Sequence, residues 1–107
     1  MSLMRALKPE ELKPLLEAGR VTLLDVRGPD EVAQASLPGA VHIPMSEISA
    51  RLTELDRATP IVVMCHHGVR SEMAGRFLLR NGFTDVAHLA GGIDAWSRQV
   101  DAAVPRY

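Results

Sequence analysis

The chain's one cysteine, Cys65, heads a run of residues that could do chemistry: Cys65-His66-His67-Gly68-Val69-Arg70-Ser71. A thiolate is a strong nucleophile, and it forms most readily where backbone N–H groups and cationic side chains converge. The run carries the cations, and its flanks supply the amides. Before it, Pro60 is followed by Ile61-Val62-Val63-Met64, a short apolar strand of the kind buried on both faces of a parallel sheet. After it, Met73, Ala74, Phe77 and Leu78 recur at helical spacing. Strand, tight loop and helix in succession surround the loop with unpaired amides and the positive end of a helix dipole, which suits an anion. The anion expected is the Cys65 sulfur, with Arg70, His66 and His67 as candidate sources of positive charge. The bland alternative makes Cys65 a small buried hydrophobe at a strand end. Its position favours the reactive reading, because open α/β sheets bind ligands at the carboxyl ends of their strands.

From cysteine through two variable residues, glycine, one variable residue, arginine and serine, this run resembles the active-site loop of the rhodanese (sulfurtransferase) family. Two more stretches agree. Leu23-Leu24-Asp25-Val26-Arg27, with Glu31 beyond it, and then Leu37-Pro38-Gly39-Ala40-Val41-His42-Ile43-Pro44, resemble the family's N-terminal signature; Gly91-Gly92-Ile93-Asp94-Ala95-Trp96 resembles its C-terminal one. The likeness runs from about Pro9 to Trp96. It implies a rhodanese-like α/β fold, a doubly wound, mostly parallel sheet of about five strands flanked by helices. It also implies a two-step sulfur transfer without a cofactor. Cys65 would take the outer sulfur of a small anionic donor such as thiosulfate as a persulfide, then pass it to cyanide or to a thiol, a protein acceptor included. Backbone N–H groups from His66 to Ser71 would hold charge on the terminal sulfur, as an oxyanion hole does for oxygen. Asp25, Arg27 and Glu31 would surround the loop without reacting, although a turn-capping aspartate accounts for Asp25 equally well. Arg70 either attracts the donor or pairs inward with an acid such as Glu31, and the second role is preferred. The Ser71 hydroxyl either bonds the sulfur or caps the helix.

One stretch departs from the family: Ala35 and Ser36 stand where its pattern has glycine and histidine. That change should affect loop packing more than chemistry. A metal held by Cys65, His66 and His67 is not expected, because adjacent side chains on a tight loop diverge and His42 and His88 lie on other strands. The histidines should instead line the pocket mouth and favour anions when protonated, or simply face water. Phosphatase or arsenate-reductase chemistry is the alternative enzyme class, but rhodanese-like phosphatases carry one residue more between cysteine and arginine. A non-catalytic regulatory or redox-sensing module is the alternative outside enzymes.

At 107 residues the chain predicts one domain, 1–107, and a net charge of −1 marks neither a nucleic-acid binder nor a membrane-surface protein. No apolar stretch approaches the roughly 20 residues of a membrane span, the N-terminal residues lack the apolar core of a signal peptide, and one cysteine forms no internal disulfide; a cytoplasmic location is the expectation. Strands are predicted at 4–7, 21–26, 41–43, 61–64 and 86–89. Between and beyond them come helices opening at Pro9, from Glu31 to about Ala35, from Ser46 to Leu55 with Ser46 as N-cap, from Arg70 to Asn81-Gly82, and from Ile93 to about Gln99. Gly91-Gly92 should let the backbone pass close to neighbouring loops, and Trp96 should anchor packing. Residues 104–107 carry no signal.

Overall fold

The computed structural model describes residues 4–107; the first three positions of the predicted domain lie outside the described residues. The chain runs β1 (Arg5–Leu7), α1 (Pro9–Glu17), β2 (Thr22–Asp25), α2 (Pro29–Gln34), β3 (Val41–His42), two 3-10 helices (Met45–Ala50 and Leu52–Glu54), β4 (Ile61–Met64), α3 (Val69–Arg80), β5 (Val86–Leu89) and α4 (Gly92–Gln99). The five strands form one parallel sheet in the order β1-β5-β4-β2-β3.

Alternate residues of each strand point to opposite faces, and both faces here are covered. Leu24, Ile61, Val63, Cys65 and Val86 pack with Ala74 and Leu78 of α3 and with Ile48 of the first 3-10 helix. Leu23, Val62, Met64 and Leu89 pack on the other side with Leu12 of α1 and with Ile93 and Trp96 of α4. The continuous apolar run of β4 is therefore split residue by residue between two cores. From β2 the chain steps outward to β3, and from β4 it steps the other way to β5. The reversal leaves a crevice beyond the carboxyl ends of β2 and β4, where ligands bind in sheets of this kind. Asp25 and Cys65 stand at those two ends.

Two expectations need correcting. The helix predicted from Ser46 to Leu55 is a pair of 3-10 helices, and Ser46 makes no cap bond; Pro44 precedes the first. Arg51 leaves helical geometry at φ −123°, and the short pieces close by three-residue bonds such as Glu47 N–H to the Pro44 carbonyl and Leu55 N–H to that of Leu52. Met73, counted in the helical apolar pattern with Ala74, Phe77 and Leu78, is 55% exposed. The face α3 buries is set by Ser71, Ala74, Gly75 and Leu78, at helical spacing, and Met73 falls to one side of it.

Candidate active site

Cys65 follows directly on β4 and is 1% exposed, so its neighbours define its chemistry. Gly68 adopts φ +116°, a left-handed value that side-chain-bearing residues rarely take. That turn closes the loop on itself and aims the Gly68 N–H at Sγ over 3.0 Å. The Ser71 amide, in the first turn of α3, points at the same sulfur over 3.4 Å. Among the described residues these two loop amides bond Sγ, fewer than the whole run from His66 to Ser71 that was expected. Val69 is the first residue of α3, and its side chain is exposed. Of the two roles left open for it, the Ser71 hydroxyl takes the first, accepting from the Cys65 thiol at 3.5 Å; it donates to the Gly68 carbonyl at 3.1 Å and caps no amide of α3. It also lies 3.4 Å from Nδ1 of His88 on β5, a partly buried ring whose pKa burial pushes down against the opposing charge of Glu72.

The loop rests on the start of α4. The Ile93 amide donates to the Cys65 carbonyl at 2.9 Å, and the Asp94 amide to the His66 carbonyl at 3.2 Å. Two donors that a helix leaves unpaired in its first turn thus hold the reactive loop from below. Gly92 makes the approach possible, since a Cβ there would collide with both of those carbonyls. The close passage expected of Gly91-Gly92 is present.

A chain of charged groups ties β2 to the loop. Asp25 is buried and takes both alternatives offered for it, accepting from the Arg27 backbone amide at 3.1 Å and from the guanidinium through Nε (2.9 Å) and Nη2 (2.7 Å). Arg27 is itself fully buried. Its remaining N–H groups reach the carbonyls of Ala35 (2.7 Å) and Glu31 (3.3 Å) and the Tyr107 hydroxyl (2.8 Å), so all five donors are used. The Ala35 carbonyl, at the site of the departure from the family pattern, is one of the atoms that hold Arg27. His42 donates from Nε2 to the Arg27 carbonyl at 2.6 Å. Glu31 and Arg70 form the inward pair preferred for them, a two-pronged contact of 2.5 and 2.8 Å. Mainly because of Arg70, the Glu31 carboxyl is held down at about 2.

Tyr107 was missed in the sequence. It is the only tyrosine, and nothing periodic surrounds it. Its hydroxyl accepts from Arg27 and donates to Glu31 at 2.8 Å, and its ring stacks on His66 at 3.9 Å between centroids, with 11° between planes. His66 stacks in turn on His67 at 3.9 Å, so the two rings do not diverge as expected. Burial, then the neighbouring His67, lowers the His66 pKa, which disfavours the positive charge expected of that ring. Asp94 was read only as part of a signature; its carboxylate accepts from Arg98 and Arg106, each at 3.0 Å, and so ties the segment before Tyr107 to α4. Among the described residues no three ligand-type side chains are grouped to hold a metal ion.

Residues 8–99 match the rhodanese-like domain family, and the chain belongs to it. A sulfurtransferase of Allochromatium vinosum is 38% identical over 84 residues, which is 78% of each chain. The "Putative sulfur carrier protein YrkF" of Bacillus subtilis is also 38% identical, over 81 residues; the match covers 76% of this chain and 44% of that one, so the present chain spans less than half of that relative. The human single-domain sulfurtransferase TSTD1 superposes with a TM-score of 0.78 at 28% identity, covering 91% of this chain and 98% of its own. No described helix is long and apolar enough to cross a membrane.

Proposed function

We propose that this protein is a sulfurtransferase that takes a sulfane sulfur from a small anionic donor, thiosulfate being the simplest, and passes it to a thiophilic acceptor through a persulfide on Cys65. The observation that carries the reading is the Cys65 sulfur at the sheet's switch point, with the Gly68 and Ser71 amides directed at it. In the first step the thiolate attacks the outer sulfur of thiosulfate; a new S–S bond forms at Sγ, the donor's S–S bond breaks, and sulfite leaves with the electron pair. In the second, cyanide or a thiolate attacks the outer sulfur of the persulfide, and the Cys65 thiolate is released. Each step places negative charge on a sulfur that the preset N–H groups can hold without rearranging.

Two features favour sulfur over phosphoryl transfer. The six-residue loop from Cys65 to Arg70 is tight, and both prongs of Arg70 are spent on Glu31 rather than left to clamp a phosphoryl group. The names of the relatives, sulfurtransferase and sulfur carrier, agree with the reading, and an acceptor thiol on another protein fits the second of them.

The test is intact mass after incubation with thiosulfate and then with cyanide, alongside Cys65→Ser. Wild type should gain one sulfur atom and lose it as thiocyanate, while Cys65→Ser gains none. Loading that persists in the serine variant, or no loading of wild type by thiosulfate or polysulfide, overturns the proposal.

A further inference from the structure

Tyr107 lies eight positions beyond the last residue that matches the family, yet it touches three residues around the reactive loop. We propose that Tyr107 is a positioning residue for sulfur loading: its hydroxyl fixes the Glu31 carboxylate in the orientation that holds Arg70 beside the Cys65 loop, and its ring fixes His66. The inference rests on the sulfurtransferase reading of the site.

The geometry gives the hydroxyl a fixed direction. Arg27 has no spare donor and lies buried, so its Nη1–H can only give to the Tyr107 oxygen, and the Tyr107 proton must then go to Glu31 Oε2. Glu31 is thereby filled: Oε1 accepts from Arg70 Nη1 and from the Gly28 amide at 3.3 Å, and Oε2 accepts from Arg70 Nη2 and from Tyr107. With each oxygen anchored twice, the carboxylate cannot rotate, and Arg70 is left one orientation in which to meet it. A continuous relay runs from Asp25 through Arg27, Tyr107 and Glu31 to Arg70, joining the end of β2 to the end of the loop that follows β4. Arg70 stands between Gly68 and Ser71, whose amides face the Cys65 sulfur, so its placement bears on the shape of the loop around any anion held there. Burial and the bond to Glu31 push the Tyr107 phenol up to about 12, and it stays protonated throughout the neutral range.

The hydroxyl and the ring can be removed separately. Tyr107→Phe keeps the stack on His66 and deletes the bridge; Tyr107→Ala deletes both. Three readouts apply: steady-state kinetics with thiosulfate and cyanide well below each variant's Tm, titration of the Glu31 carboxyl by carbon NMR, and titration of the His66 ring by proton NMR. In Tyr107→Phe the KM for thiosulfate should rise about 5- to 10-fold with kcat within about twofold, as expected when the arginine that ends the donor-binding loop loses a hydrogen-bonded support, and the Glu31 carboxyl should titrate at higher pH. In Tyr107→Ala the His66 titration should in addition move up toward its ordinary range, while in Tyr107→Phe it stays. A purely structural tyrosine would lower Tm without changing KM. A thiosulfate KM within twofold of wild type in Tyr107→Phe, or a loss confined to kcat, overturns the proposal. If wild type itself loads no sulfur, the transfer reading fails by that result alone. The Glu31 titration then decides the positioning claim, and an unmoved carboxyl in Tyr107→Phe overturns it.

Discussion

Arg27 and Asp25 show at the level of single side chains how the site is held. Both are buried, and their mutual bonds, with the Ala35 and Glu31 carbonyls and Tyr107, leave no guanidinium donor unpaired. A buried ion pair adds little over a well-packed apolar pair, but removing one member strands the other charge. Asp25→Ala is therefore expected to cost about 3–5 kcal/mol in urea unfolding. A loss under 1 kcal/mol would mean that Arg27 finds water or another acceptor. The sequence left Asp25 between the surroundings of the loop and a turn cap, and the structure joins the two through one residue, Arg27, two positions on. The Glu31–Arg70 pair was legible because an acid and a base stood in the two matching motifs. Tyr107 was not, because a contact made 76 positions away from Glu31 leaves no trace in local spacing.

At the level of elements, the reactive loop depends on the helix that follows the next strand. The first amides of α4 are bonded to the Cys65 and His66 carbonyls, and Gly92 combines φ +65° with the absence of a Cβ at that contact. Gly92→Ala meets the carbonyls of two consecutive loop residues and a strained dihedral together; a loss of roughly 2–3 kcal/mol is expected, with slower sulfur loading. Gly75→Ala is the contrast. Its Cβ would meet the far end of the flexible Met4 side chain, so a Tm close to wild type is expected, and thermal melts of the two variants side by side test the difference. Strands and most helices could be read from periodicity because their apolar residues face fixed cores. The segment 45–54 could not, since only Ile48 within it is buried and Arg51 answers to Glu47 and Glu54 rather than to the core.

Across the whole molecule, partly buried histidines and paired carboxylates make stability pH-dependent, with His88 and Glu31 as one example of each. His88 has a folded pKa below its ordinary value of about 6.5, so the unfolded chain binds more protons and stability falls as pH drops below about 6.5. Glu31 titrates at about 2 when folded against about 4.3 when unfolded, so its contribution is complete above about 4.3 and is lost as pH falls toward 2. With Arg70 38% exposed and screened, that contribution is roughly 1–2 kcal/mol. Urea midpoints followed from pH 7 downward should show two declines. The first should be shallower in His88→Asn and the second shallower in Glu31→Gln, with Asp56 and Asp94 supplying what remains; a second decline unchanged in Glu31→Gln would assign it to those groups alone.

The outer seam of the sheet carries a consequence for how the chain comes to be folded. β1 pairs with β5 alone, Arg5 beside Ala87 and Leu7 beside Leu89, so the earliest described strand waits for the last. At a ribosome adding about 5–20 residues per second, that partner is completed roughly 4–16 seconds after β1. Until then β1 is an open strand end, and β4, with the nucleophile just beyond it, has a neighbour on its β2 side only.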